Sequence, residues 1–363
     1  VSQSASACSS DSFSLLASVA GARSKRIREG EDDAESRQRY KQPCLDVCED
    51  DLMLLEDDNG DSLLKPFRPE WFHGSQSMVR MLKLAAECGH SRFASCDTSG
   101  QTGAKAWASF PCMDTLAYFV LNLNKENRCL YELITDTMEV VLWFDIEFRT
   151  LSEEDGEIRR AKLETVLQEA IEMSFNVQNP LMFWGTSSRY EDKHNAWKHS
   201  YQLRVPSVVF ESNVKDGALA RWVNMFVKAT ECIPEFMCPK TDKHAIDCVV
   251  YSRSRSVRTC LSSKQNDPKR TPLKFLPDLG SGALVQGHPL SEFKALAVSK
   301  CVDYEGYDVI FVKNTDAVHL VIPSMAVLLQ NEATGEFKVR DGVDSVQKES
   351  VVLGKNRKKP RKA

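Results

Sequence analysis

Strands and helices follow one another in mixed order along this sequence, which predicts a core of the α/β or α+β class. Three observations carry that prediction. Apolar residues recur at helical spacing in 76–87, 114–123, 157–174 and 217–230. Strand-like runs fall between them at 129–134, 140–148, 181–185, 200–210 and 246–258. No internal repeat runs along the chain.

Each element has its own reason. Ordered structure is expected from about Pro66. In 76–87, Met78, Val79, Met81, Leu82 and Ala85 share one side of a helix. The segment 114–123 predicts a second helix. CLYELI at 129–134 predicts a strand leading into VVLWFDIEF at 140–148. In 157–174, Leu163, Val166, Leu167, Ala170 and Ile171 form an apolar stripe, and 217–230 predicts a further helix. From Val339 the chain turns polar, then strongly basic, and is expected to be unstructured.

Composition bounds the functional class. Of 363 residues, 42% are apolar and 27% charged, ordinary values for a soluble globular protein. No apolar run approaches the ~20 residues a membrane span needs, so no membrane partner is expected. The chain opens on Val1 rather than Met, as a processed or trimmed product would, and its first segment lacks the apolar stretch of a secretory signal. Twelve cysteines without any CxxC pair predict reduced thiols rather than disulfides. Cys88 and His90 with Cys96, or Cys232 and Cys238 with His244, lack the regular four-ligand spacing of zinc, and buried free thiols are the better reading.

The net charge of −4 is unevenly spread. Residues 1–65 carry 8 Lys/Arg against 14 Asp/Glu, while the tail KNRKKPRK at 355–362 carries six positive charges. Any nucleic-acid surface must therefore be a local groove. Residues 1–65 predict a disordered segment: Ser-rich at first, then basic at Arg23, Lys25, Arg26 and Arg28, then acidic over 46–61. The basic cluster fits a solvated charge run slightly better than a nuclear address. The apolar knot within 50–58, set between acids, would dock a partner.

The chemistry concentrates in three strands. Alternation places Asp145 and Glu147 on one face of 140–148, with Leu142, Phe144, Ile146 and Phe148 on the other. Two neighbouring carboxylates in so apolar a run repel, and a divalent cation removes that penalty. Oxygen pairs at this spacing suit Mg²⁺ or Mn²⁺. A solvated sheet edge, or pairing to Arg or Lys, would explain the same acids. Ser200, Gln202 and Arg204 share a face of the next strand and suit a phosphate-bearing ligand, although that row taken alone fits the wet face of an amphipathic strand better. In the third, Asp247 enters an apolar run, and Arg253, Arg255, Arg258 and Lys264 follow it. A third acid beside a cationic row fits a centre that binds metal and triphosphate together. An Arg-rich strand paired to surface acids is the plainer alternative.

These motifs resemble those of the eukaryotic primase-polymerases, a branch of the archaeo-eukaryotic primase superfamily. FDIEF at 144–148 is similar to the superfamily's first motif and Ile246-Asp247 to its third. DCVVYSRSRSVRTCLSSK at 247–264 resembles the primase-polymerase branch in particular, through Asp247, Tyr251, Arg253, Arg255, Arg258 and Ser262-Ser263-Lys264. CLYELI and Thr98-Ser99-Gly100-Gln101 resemble it too, and the resemblance covers about 66–335. It implies an α+β, archaeo-eukaryotic primase-like core of two modules, each a mixed β-sheet flanked by helices. The organisation becomes 1–65 N-terminal segment, 66–138 N-terminal module, 139–335 catalytic module and 336–363 tail.

The resemblance further implies a nucleotidyltransferase: a DNA primase-polymerase that adds (d)NTPs to a primer or initiating nucleotide on a single-stranded or damaged DNA template. Asp145, Glu147 and Asp247 would be catalytic and hold two Mg²⁺ or Mn²⁺ ions. Ser200, Arg255 and Lys264 would contact nucleotide phosphates, with Arg258 and Lys198 beside them, and Gln101 would face template or nucleotide. Partners would be single-stranded DNA, primer and (d)NTPs, with a replication or single-strand-binding protein docked on the acidic N-terminal segment. The setting would be nucleus or mitochondrion. Two departures stand out. Gln202 occupies the place of the usual histidine and can donate a hydrogen bond but carry no charge. Losing a charged donor costs ~1–2 kcal/mol. After Cys301 the chain has one histidine, His319, and no cysteine, so the zinc module that often follows this core is missing. That fits a piece of a longer protein, or one that extends primers better than it starts them. The competing readings are a catalytically weakened, primase-like nucleic-acid-binding protein, which Gln202 favours, and a metal-dependent nuclease, which needs no triphosphate clamp.

Overall fold

The computed structural model describes residues 67–98, 104–238, 243–265, 269, 271–302 and 304–321. Gln101, the N-terminal segment and the basic tail lie outside the described residues. The chain runs α1 (Ser77–Cys88), β1 (Arg92–Asp97), β2 (Lys105–Phe110), α2 (Met113–Leu121), β3 (Leu130–Ile134), β4 (Val140–Thr150) and α3 (Glu153–Phe175). It continues through β5 (Phe183–Thr186), β6 (Arg189–Glu191), β7 (Ala196–Phe210), α4 (Ala218–Thr230), β8 (Met237–Cys238) and β9 (Lys243–His244). Last come β10 (Arg255–Arg258), β11 (Lys274–Phe275), α5 (Pro289–Ala295) and β12 (Ile310–Val312). The class is α+β, with several antiparallel sheets and five α-helices among the described residues.

The first sheet has strand order β10-β3-β1-β2 and is antiparallel throughout, not mixed as expected. Helix α2 lies between β2 and β3, and β10 arrives from far along the chain, so the first sheet draws a strand from the segment assigned to the second module. The second sheet is built around β7. Strand β4 lies antiparallel along one side of β7, while β6 and β5 (both antiparallel) and β12 (parallel) follow one another along the other. This sheet is mixed. Strand β11 extends it beyond β5. The β4–β7 register shifts between Val141 and Leu142, next to Pro206, which has no N–H to give a ladder.

Helix α3 begins at Ser152, whose hydroxyl accepts from Asp155 N, with Glu153, Glu154 and Asp155 in the first turn to complement the helix dipole. It buries Leu163, Val166, Leu167, Ala170 and Ile171, the stripe expected from periodicity. These join Phe144, Ile146 and Phe148 of β4, and Trp222 and Phe226 of α4, in one core. A second core gathers Ala94, Ala106, Phe110, Leu116 and Phe119 with Phe183 and Phe293. Gly156 lets α3 approach β7 closely: a Cβ there would lie 1.9 Å from the ring of buried His199. No helix among the described residues is long and apolar enough to cross a membrane.

One expected strand is corrected. Residues 246–258 do not run as a single strand. Asp247 accepts from Val249 N through its own carboxylate and caps a 3-10 turn at Cys248–Val250. Ser254 then takes a positive φ of 54°, and the chain crosses to the first sheet as β10. The apolar run looks like a strand in sequence, but local capping breaks it.

Candidate active site

Alternation along β4 and β7 puts Asp145 across from Gln202, Glu147 across from Ser200 and Arg149 across from Lys198. On the other side of β4, Ile246 bridges to Ile146. Asp247 N donates to Asp145 O at 2.9 Å, and Glu147 N donates to Ala245 O at 2.8 Å. One row therefore reads Gln202, Asp145, Asp247 across three adjacent backbones. A third acid, distant in sequence, joins the β4 pair on one sheet face. The crossing segment is fixed from below: Tyr251 OH donates to Trp143 O at 2.7 Å, and Asn213 Nδ2 donates to the carbonyls of Val250 and Ser252 at 3.2 Å.

The acids feel this crowding differently. Burial, then Glu147, then Asp247 push the Asp145 carboxyl up to about 6, against the pull of Lys264 and Arg204. Its carboxylate accepts no hydrogen bond from any described residue. Burial alone would raise Glu147 too, but Lys198, 3.0 Å away, together with Lys264 and Arg258, brings it below the usual carboxylate range. Ser200 Oγ donates to Glu147 Oε1 at 3.5 Å, and Ser187 Oγ donates to Ser200 Oγ at 3.2 Å.

The cations sort into two groups. Lys264 is the cation that acts most strongly on Asp145, and it is exposed beyond the buried Ser262-Ser263 pair. Arg258 is 8% exposed, and its buried Nε has no hydrogen-bond partner. No acid lies within ion-pair distance of it among the described residues. Burial lowers its pKa, while Tyr131, Asp145 and Glu147 hold it up. Arg255 is not part of this group. It stands three residues before Arg258 on β10, an odd separation that turns it to the opposite sheet face, beside Val257. Strand alternation thus turns Arg258, which the resemblance also implied, toward the acids, and Arg255 toward the other face. Gln101 lies outside the described residues.

Lys198 was expected beside the site, but Arg149, Arg189, Glu191 and Tyr131 were not foreseen. Arg149, Lys198 and Arg189 form a cross-strand row of cations on the acid face. Glu191 offsets their repulsion through Arg149 at 2.9 Å and Arg189 at 3.5 Å. Tyr131 pairs with Arg258 across the first sheet, donates to Asp97 Oδ2 at 2.9 Å and carries Lys105 over its ring at 3.8 Å. Cross-strand register brings these side chains together, and no local pattern announces it.

The donor set suits a hard divalent cation. It is all oxygen, and it includes an unpartnered acid whose repulsion by two others a cation would relieve. The side chains are not gathered for it as they stand: among the described residues, no group of three or more His, Cys, Asp or Glu is arranged to hold a metal ion. Glu147 is turned to Lys198, and Asp247 caps its own turn. Holding a cation would require these two carboxylates to re-aim. No protein-family model matches this chain, and comparison with curated proteins finds no match.

Proposed function

We propose that this chain is a metal-dependent nucleotidyltransferase, a primase-polymerase acting on single-stranded or damaged DNA. The observation that carries the reading is the pairing of Asp145, Glu147 and Asp247 on one sheet face with a buried Arg258 that has no anionic partner among the described residues. A buried guanidinium donor without an acceptor calls for an explanation, and a phosphate oxygen supplies one. Mg²⁺ or Mn²⁺, held by the three acids, would lower the charge repulsion between an attacking hydroxyl and a nucleoside triphosphate.

The chain's own residues do the rest. Arg258 and Lys264 bind the triphosphate, and Ser200 and Gln202 donate to it from β7. Lys198 holds Glu147 ionised, the state in which that carboxylate would serve as a metal ligand. Arg149 and Arg189 extend the positive rim along which a DNA backbone would lie, giving sequence-tolerant, salt-sensitive contact. A second reading, a catalytically weakened DNA-binding relative, is favoured by the Glu147–Lys198 ion pair and by Gln202.

Primer extension by the intact chain on a single-stranded template with Mn²⁺ separates the two. Template-directed incorporation is expected. DNA bound without any incorporation supports the weakened relative, and degradation of the template instead of extension supports a nuclease.

A further inference from the structure

Arg204 stands two residues beyond Gln202 on β7, on the same face and across from Trp143. It is 1% exposed, yet no carboxylate among the described residues lies within ion-pair distance. A buried cation without an ion pair is costly to keep. Its Nε donates to Leu296 O at 3.1 Å, Nη1 to Leu203 O at 3.1 Å and Nη2 to Gln202 Oε1 at 2.6 Å. The guanidinium lies over the Trp143 ring, 5.2 Å from its centroid.

A guanidinium has only donors. The Gln202 atom facing it must therefore be the carbonyl oxygen, and the amide nitrogen must face away. The two ends of a carboxamide are ordinarily told apart only by their surroundings, and here the neighbour leaves one choice. Gln202 Nε2 donates to nothing among the described residues. Gln202 lies directly across from Asp145, on the face that carries all three acids.

We propose that Arg204 is a positioning residue: it locks the Gln202 carboxamide with its N–H₂ group free on the acid face, as a donor for a phosphate oxygen of the nucleoside triphosphate. This deepens the function proposed above and rests on it. The same geometry constrains position 202. A histidine beside Arg204 would have to turn an unprotonated nitrogen to the guanidinium, so it would sit there neutral. Glutamine offers the same donor without that competition.

The test is binding of a non-hydrolysable deoxynucleoside triphosphate with Mn²⁺ to the intact chain, in the wild type and in Arg204→Met, Arg204→Lys, Gln202→Leu and the Arg204→Met/Gln202→Leu double variant. Melting temperatures run alongside. Arg204→Met is expected to weaken binding about ten-fold, and Arg204→Lys, which keeps a donor to Oε1, less than about three-fold. The double variant is expected to bind no more weakly than Gln202→Leu alone, because Arg204 acts through Gln202. Equal losses from Arg204→Met in both backgrounds would mean a purely structural role and overturn the proposal. Should Arg204→Met fail to fold, the side-chain amide signals of Gln202 in ¹⁵N-labelled wild type, assigned by their loss in Gln202→Leu, decide it. They are expected to move on nucleotide addition, and signals that stay in place overturn it. A wild type that binds no nucleotide removes the nucleotidyltransferase reading itself, a result distinct from any variant comparison.

Discussion

Asp145 is held ionised at neutral pH against its surroundings. Its folded pKa of about 6 lies above the 3.8 of a free side chain. Its favourable contribution to the fold is therefore complete below that lower value and is lost as pH rises through 6. Two pKa units correspond to about 3 kcal/mol at most. Asp145→Asn keeps the shape and removes the charge. It is expected to raise the melting temperature of the metal-free protein at pH 7 and to lose that advantage near pH 4. Mn²⁺ is expected to stabilise the wild type and not this variant. Thermal unfolding across pH, with and without Mn²⁺, checks both; an Asn variant no more stable than wild type at pH 7 removes the repulsion argument. The two arginines of β10 give a second contrast. Arg258→Met is expected to weaken nucleotide binding about ten-fold or more, as loss of a charged donor to phosphate does. Arg255→Met, on the far face, is expected to change it by less than about two-fold.

At the scale of elements, the site depends on how closely α3 lies on β7. Gly156 leaves room for His199, whose Nε2 bonds Thr150 Oγ1 at 2.7 Å and whose ring stacks on Phe148. Tyr201 on the same strand face donates to Glu157 Oε1 at 2.6 Å. This packing fixes the back of β7, and so the register of Ser200 and Gln202 on its front. Gly156→Ala forces ring and helix apart, and calorimetry is expected to show a loss of about 1–3 kcal/mol; an unchanged transition would mean that α3 can shift freely. The acid pair on β4, the polar row on β7 and the stripe on α3 were legible in sequence, because periods of 2 and 3.6 fix which residues share a face. Strands β1 and β2 were not, since RFASCD and KAWASF are short and carry few large apolar residues. Residues 246–258 misled because an Asx cap, invisible to periodicity, breaks an apolar run. The Arg149–Lys198–Arg189 row and the hold of Arg204 on Gln202 arise from pairing between distant segments, which a linear pattern does not encode.

Across the whole molecule, two sheets meet at the candidate site: the second supplies Asp145, Glu147, Ser200 and Gln202, while the first supplies Arg258 through a strand that leaves Asp247 only eight residues earlier. One crossing segment thus ties the third acid to the buried Arg258, the cation proposed to bind phosphate. Binding of single-stranded DNA is expected to weaken steeply with salt, as phosphate contacts release counterions. An affinity unchanged between low and physiological salt would argue against a backbone-tracking rim. The most direct test of the central claim is a Mn²⁺ titration of the intact chain, followed by electron paramagnetic resonance, for wild type, Asp145→Asn and Asp247→Asn. The account predicts Mn²⁺ binding by wild type in the presence of nucleotide, weakened at least about ten-fold by either substitution. Mn²⁺ bound as tightly by Asp247→Asn as by wild type, or not bound by wild type at all, would contradict it.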